Sequence, residues 1–186
     1  TVTNYAVRYG DGTELHFDFD AGRGLWVSTD GAGAYETLQV VPGNGPNVDP
    51  KYVVTRADQS RYEFDKNFTL ERVVDTNGVT TEFNYQGGRI QTIRDDTGHT
   101  IVYQYSGGKL TSIVDRHAGQ ADVTLVRYVY TQSQLTQVID RFGHATTYTY
   151  DNKGLLVKVS LPFQQTINGQ LQTFETREIQ FTYAQV

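Results

Sequence analysis

Thr147-Tyr148-Thr149-Tyr150-Asp151-Asn152-Lys153-Gly154-Leu155-Leu156 decides the fold of this chain. Two tyrosines stand two residues apart, so in an extended strand both rings lie on one side. A polar segment follows, closed by Gly154, a residue suited to the positive φ of a tight reversal. Leu156 then anchors a returning strand. The stretch reads as one β-hairpin with a two-ring patch on one face.

Working outward, the same grammar recurs. Phe17-Asp18-Phe19, Tyr62-Glu63-Phe64, Phe83-Asn84-Tyr85, Tyr103-Gln104-Tyr105, Tyr128-Val129-Tyr130 and Phe181-Thr182-Tyr183 are all aromatic-x-aromatic. The spacing from Tyr85 to Tyr105 and from Tyr130 to Tyr150 is 20 residues. Polar or glycine-bearing segments (Asp65-Lys66-Asn67, Gln86-Gly87-Gly88, Ser106-Gly107-Gly108) precede aliphatic anchors at Leu70, Ile90 and Leu110, with Leu25 and Leu135 in the same phase. Five residues after an anchor stands an aspartate: Asp30, Asp75, Asp95, Asp115 or Asp140. Gly33, Gly78, Gly98 and Gly143 follow four of these at a distance of three, which reads as a second turn with the aspartate bonding the backbone ahead. The predicted fold is all-β: tandem antiparallel hairpins with a period of about 20 residues in a curved, twisted sheet. A lone hairpin is marginal in water, so the units must stack. Each buried Phe or Leu then contributes roughly 1.5–3 kcal/mol. Ile90 and Ile93 are three apart and break strict alternation, so either a bulge lies there or both faces are partly covered.

The chain is expected to be one repeat-array domain over 1–186. Its parts are a divergent first repeat (11–33), a turn-rich loop insertion (34–51), the main repeats (52–160), an inserted hairpin (161–180) and the start of a further repeat (181–186). The insertions all fall between hairpins, which is where an array tolerates growth. Pro42-Gly43-Asn44-Gly45-Pro46-Asn47 reads as loop, and Asn168-Gly169 as a hairpin turn.

Composition agrees. Thirteen Tyr and nine Phe suit half-buried pleated surfaces. The absence of cysteine excludes disulfides, thiolate metal sites and cysteine nucleophiles. The formal charge of −5, without a basic run, argues against a nucleic-acid partner. No apolar run is long enough for a helical membrane span. The chain lacks methionine, so it reads as a processed product or a piece of something longer.

With the repeat written out, the sequence resembles the Rhs/YD-repeat (tyrosine–aspartate) family. The resemblance rests on the stretch quoted first, on Gly108-Lys109-Leu110-Thr111-Ser112-Ile113-Val114-Asp115 and on Ile139-Asp140-Arg141-Phe142-Gly143-His144. In that family, which includes bacterial polymorphic toxins, insecticidal toxin complexes and teneurins, hairpins spiral into a hollow β-shell. The resemblance implies a non-catalytic wall segment of a secreted or cell-surface bacterial protein. Its partners would be the rest of a larger repeat protein and an enclosed toxin domain. The family's self-cleaving Asp-Pro-x-Gly segment is not matched by Asp49-Pro50-Lys51-Tyr52, which lacks the glycine. The repeat-defining residues are Phe83, Tyr85, Tyr103, Tyr105, Tyr128, Tyr130, Tyr148, Tyr150, Asp75, Gly78, Asp95, Gly98, Asp115, Asp140 and Gly143.

Candidate chemistry reads as structural. His99, His117 and His144 share a repeat phase, which spaces them about a hairpin apart along one edge. His16 and Trp26 read as a surface and a packing residue. The aspartate ladder fits turn capping better than calcium, and no cofactor, metal or catalytic residue is expected. A second class of function stays open: an adhesin-like module whose aromatic ladder binds a glycan or protein ligand. The direction in which the rings point separates the two.

Overall fold

The structure is a computed structural model that describes residues 4–31, 35–43, 49–167 and 170–183, with side chains described for all of these except 163–175. Gly33, Asn44 to Asn47 and the Asn168-Gly169 turn lie outside the described residues. The chain divides into two compact units, Thr1–Gly98 and His99–Val186.

The first unit runs β1 (Asn4–Arg8), β2 (Glu14–Asp20), β3 (Leu25–Ser28), β4 (Thr37–Val41), β5 (Lys51–Thr55), β6 (Arg61–Phe64), β7 (Leu70–Val74), β8 (Thr80–Gln86) and β9 (Arg89–Asp95). The second runs β10 (Thr100–Ser106), β11 (Lys109–Arg116), β12 (Val123–Thr131), β13 (Gln134–Asp140), β14 (Ala145–Tyr150), β15 (Leu156–Ile167) and β16 (Gln170–Gln180). Within each unit every strand pairs antiparallel with the next in sequence. The fold is the all-β hairpin array that the aromatic pairs predict.

Two boundaries move. Residues 37–41, expected in a loop, form β4 and pair with β3 and β5, because Leu38 and Val40 supply a buried-facing alternation. The hairpin expected over 161–180 is continuous with its predecessor, since β15 carries on from Leu156 to Ile167 without a break. Pro162, which has no N–H to donate, sits at the irregularity between Leu161 and Phe163.

The question left by Ile90 and Ile93 is settled by a bulge. Phe83 lies opposite Ile93 and Tyr85 opposite Ile90, with Gln91 as the extra residue. Cross-strand partners share a face, so the bulge brings both isoleucines under both rings. The same shift recurs beside Phe64, Tyr105, Tyr130 and Tyr150, with extra residues Glu71, Thr111, Thr136 and Val157. Thr111 and Thr136 each turn a hydroxyl onto the carbonyl of the residue between the two rings, at 3.1 and 3.2 Å. The first repeat keeps plain register, Phe17 to Ser28 and Phe19 to Trp26.

The first unit holds the packed core. Phe17, Leu38 and Val54 are buried, and Tyr5, Val7, Leu15, Trp26, Tyr52 and Phe64 close around them. Tyr5 meets both Trp26 and Tyr52 edge-on, at 5.0 and 5.8 Å between ring centres, so β1 lies over β5. In the second unit the aromatic pairs from Tyr103 to Tyr150 are half-buried, Phe181 and Tyr183 are exposed, and among the described residues Val114 is the buried hydrophobic side chain.

Candidate functional site

The repeat-defining residues make two devices, a turn and a latch. Asp75 accepts the N–H groups of Asn77 and Val79 on one carboxylate oxygen, at 2.8 and 2.9 Å, while Gly78 stands at φ +85°. Asp140 does the same for Phe142 and His144, with Gly143 at φ +88°. Asp95 takes the Thr97 N–H and hydroxyl, with Gly98 at φ +85°. Asp65 and Asp151 build this turn inside their hairpins. The backbone N–H of Thr69 leads the bonds that hold the Asp65 carboxyl below its ordinary value.

Asp115 departs from the pattern. It lies inside β11, opposite Ile101 and Val123, rather than at a turn. The residue three positions on is Ala118, so no glycine is available to reverse the chain. The strand therefore continues, and the reversal falls at His117 to Gln120, with Gly119 at φ +78°. Asp115 binds the ring of His99 instead, and His117 stands 5.5 Å from His99 between ring centres. The hairpin-length spacing expected for these two histidines thus becomes direct contact. His144 bonds its own turn aspartate, Asp140, at 2.7 Å, and His16 faces Asp30 at 3.1 Å. Among the described residues no three His, Asp or Glu side chains converge to hold a metal ion. No described helix is long and apolar enough to cross a membrane.

The latch uses the second tyrosine of three pairs. Tyr150 donates its hydroxyl to the Leu135 carbonyl at 2.8 Å, Tyr130 to Leu110 at 3.0 Å, and Tyr183 to Leu156 at 2.8 Å. Each acceptor is the aliphatic anchor of the preceding hairpin. The backbone ladder between hairpins stops short of that anchor: at Gln137 and Ser112 in two cases, and in the third at Lys158 with one further bond from the Phe181 N–H to the Val157 carbonyl. The hydroxyl completes a pairing the ladder leaves open. Sequence reasoning missed this, although the second position is Tyr in Tyr85, Tyr105, Tyr130, Tyr150 and Tyr183, where Phe would serve packing alone.

A third cluster also went unread. Tyr9 donates to Glu36 at 2.6 Å, Arg56 reaches the other Glu36 oxygen at 3.4 Å, and the guanidinium lies 5.2 Å from the centre of the Tyr9 ring. Burial, and then the bond to Glu36, push the Tyr9 hydroxyl well above its ordinary value. The three residues come from separate segments, so no local motif announces them. Their polar groups satisfy one another, and the Tyr9 ring is already engaged by Arg56.

Bulged hairpins latched in series by tyrosine define a structural repeat protein. The profile of the teneurin YD-shell family matches residues 42–186, and the chain belongs to that family. A structural shell segment is the class of function the membership points to. No curated relative matches the chain. Among solved structures, a porin-like protein from Bacteroides uniformis is 16% identical over 96% of this chain and 95% of its own, with a TM-score of 0.35, too low to carry an argument.

Proposed function

We propose that the chain is a non-catalytic wall segment of a larger β-shell, in a secreted or cell-surface protein, and that the shell encloses or presents a toxin, effector or surface domain. The observation that carries this reading is the serial latch. Three consecutive hairpins each offer an anchor carbonyl to the tyrosine hydroxyl of the next aromatic pair, so the unit of stability is the array, as a wall requires. The side-chain bonding favours this over glycan binding. Three tyrosine hydroxyls are committed to backbone carbonyls, and Tyr130 and Tyr150 lie opposite the aliphatic anchors Leu135 and Leu156.

The test is protease protection in the parent protein. With the wall intact, an enclosed domain resists digestion. Replacing Tyr130 and Tyr150 together by Phe is expected to expose it at lower protease concentration. An enclosed domain equally digested in both proteins, or no such domain, counts against the reading. Selective glycan binding by the isolated chain would favour the adhesin-like alternative.

A further inference from the structure

We infer that Asn77 is a site of spontaneous covalent modification, at which the main-chain nitrogen of Gly78 attacks the Asn77 side-chain amide. In this step the Gly78 nitrogen loses its proton to solvent base and bonds to Cγ of Asn77. The Cγ–Nδ2 bond breaks, and the nitrogen leaves as ammonia with a proton from water. The resulting five-membered imide then takes up water. Opening one carbon–nitrogen bond gives aspartate, and opening the other gives isoaspartate. No oxidant or reductant is involved.

Two turns of one design make the comparison. Asn67 and Asn77 occupy the same position in Asp65-Lys66-Asn67-Phe68-Thr69 and Asp75-Thr76-Asn77-Gly78-Val79. Each donates its N–H to the turn aspartate at 2.8 Å, and each following N–H donates to that aspartate's carbonyl, at 3.0 Å for Phe68 and 3.1 Å for Gly78. The difference lies in the nucleophile. Gly78 carries no side chain, and nothing stands within 4 Å of where a Cβ would be. Phe68 places a ring beside its nitrogen, and the Asn67 amide is held to Asp65 at 3.4 Å. Asn77 and Gly78 are exposed, so water and base reach them.

The closed turn also acts as a gate. While Gly78 N–H is bonded to the Asp75 carbonyl, its nitrogen is turned away from reaction. The Asp75 carboxylate, bonded to both Asn77 and Val79, holds the turn shut. The reaction at Asn77 therefore proceeds through opening of this turn. Isoaspartate would add a methylene to the main chain and lengthen a turn that joins β7 to β8.

Trypsin separates the two sites into adjacent peptides, 67–72 and 73–89. The folded chain is aged at mildly alkaline pH and mapped by mass spectrometry with fragmentation. The expected result is a gain of one mass unit at Asn77, split between two isomers, with Asn67 unchanged. Asp75→Ala, checked for retained β-structure by circular dichroism, is expected to speed the gain. Equal rates at Asn67 and Asn77 would overturn the inference. So would an Asn77 that reacts in urea but keeps its mass in the folded chain, or an Asp75→Ala rate equal to the parent's.

Discussion

The Tyr150 hydroxyl donates to the Leu135 carbonyl at 2.8 Å, bridging two consecutive hairpins. Leu135 also lies opposite Tyr130 of its own hairpin, so one residue serves both as packing anchor and as acceptor. Tyr150→Phe keeps the ring and removes the donor. A hydrogen bond of this kind contributes about 0.5–1.5 kcal/mol net, and a half-buried carbonyl left unpaired costs more. Urea denaturation is expected to show a loss of about 1–2 kcal/mol at unchanged m-value. Because Tyr130 lies opposite Leu135, the acceptor of the Tyr150 latch, and Tyr150 opposite Leu156, the acceptor of the Tyr183 latch, the Phe variants at these positions are expected to be coupled and not strictly additive.

Phe17 is fully buried in the first unit, against Leu38 and Val54. Phe17→Ala opens a cavity where the packing is tightest. The expected loss is about 3–5 kcal/mol, read as a lower thermal or urea midpoint. Phe19→Ala, two residues on and 44% exposed, is expected to cost clearly less.

Gln132 holds φ at +55°, in a hairpin turn whose counterpart in β10–β11 uses Gly107 at +54°. A non-glycine residue in the left-handed region is strained by roughly 1 kcal/mol or more. The Lys109 ammonium bonds the Gln132 carbonyl, which a glycine would retain. Gln132→Gly is therefore expected to raise stability by about 0.5–1 kcal/mol, after the extra freedom glycine gives the unfolded chain. Differential scanning calorimetry would register the change.

The turn aspartates tie stability to pH. The Thr13 backbone N–H on Asp11, the Ser60 hydroxyl on Asp58 and the Thr69 N–H on Asp65 are the leading causes holding these carboxyls below their ordinary values. A lowered folded pKa means the unfolded chain takes up protons first. Their stabilisation is thus complete above the unfolded carboxylate value of about 4 and is lost as pH falls through the lower folded values. The urea midpoint is expected to be level near neutrality and to fall below about pH 4. A midpoint that rises on acidification through that range would contradict this.

The hairpin array was legible because its signals are local. An aromatic pair, a turn glycine and an aliphatic anchor fall within ten residues, as in Tyr148 to Leu156. The bulge was half legible. The three-residue gap between Ile90 and Ile93 marks an irregularity, but only pairing to Phe83 and Tyr85 shows both on one face. Asp115 misled because its spacing from Leu110 fits the turn rule while Ala118 removes the glycine that the turn needs. The Tyr9–Glu36–Arg56 cluster and the Tyr150–Leu135 latch were hidden for one reason. Their partners are set by how strands lie against each other, and no periodicity along one strand encodes that.

The most direct test of the wall-segment account is a cryo-electron-microscopy map of the parent protein. The account predicts that the hairpins of residues 42–186 continue, strand beside strand, into neighbouring repeats of a closed shell. Tyr130 and Tyr150 would remain latched to Leu110 and Leu135. A map showing these residues as a separate module, with β-edges free in solvent and no enclosing wall, would contradict it.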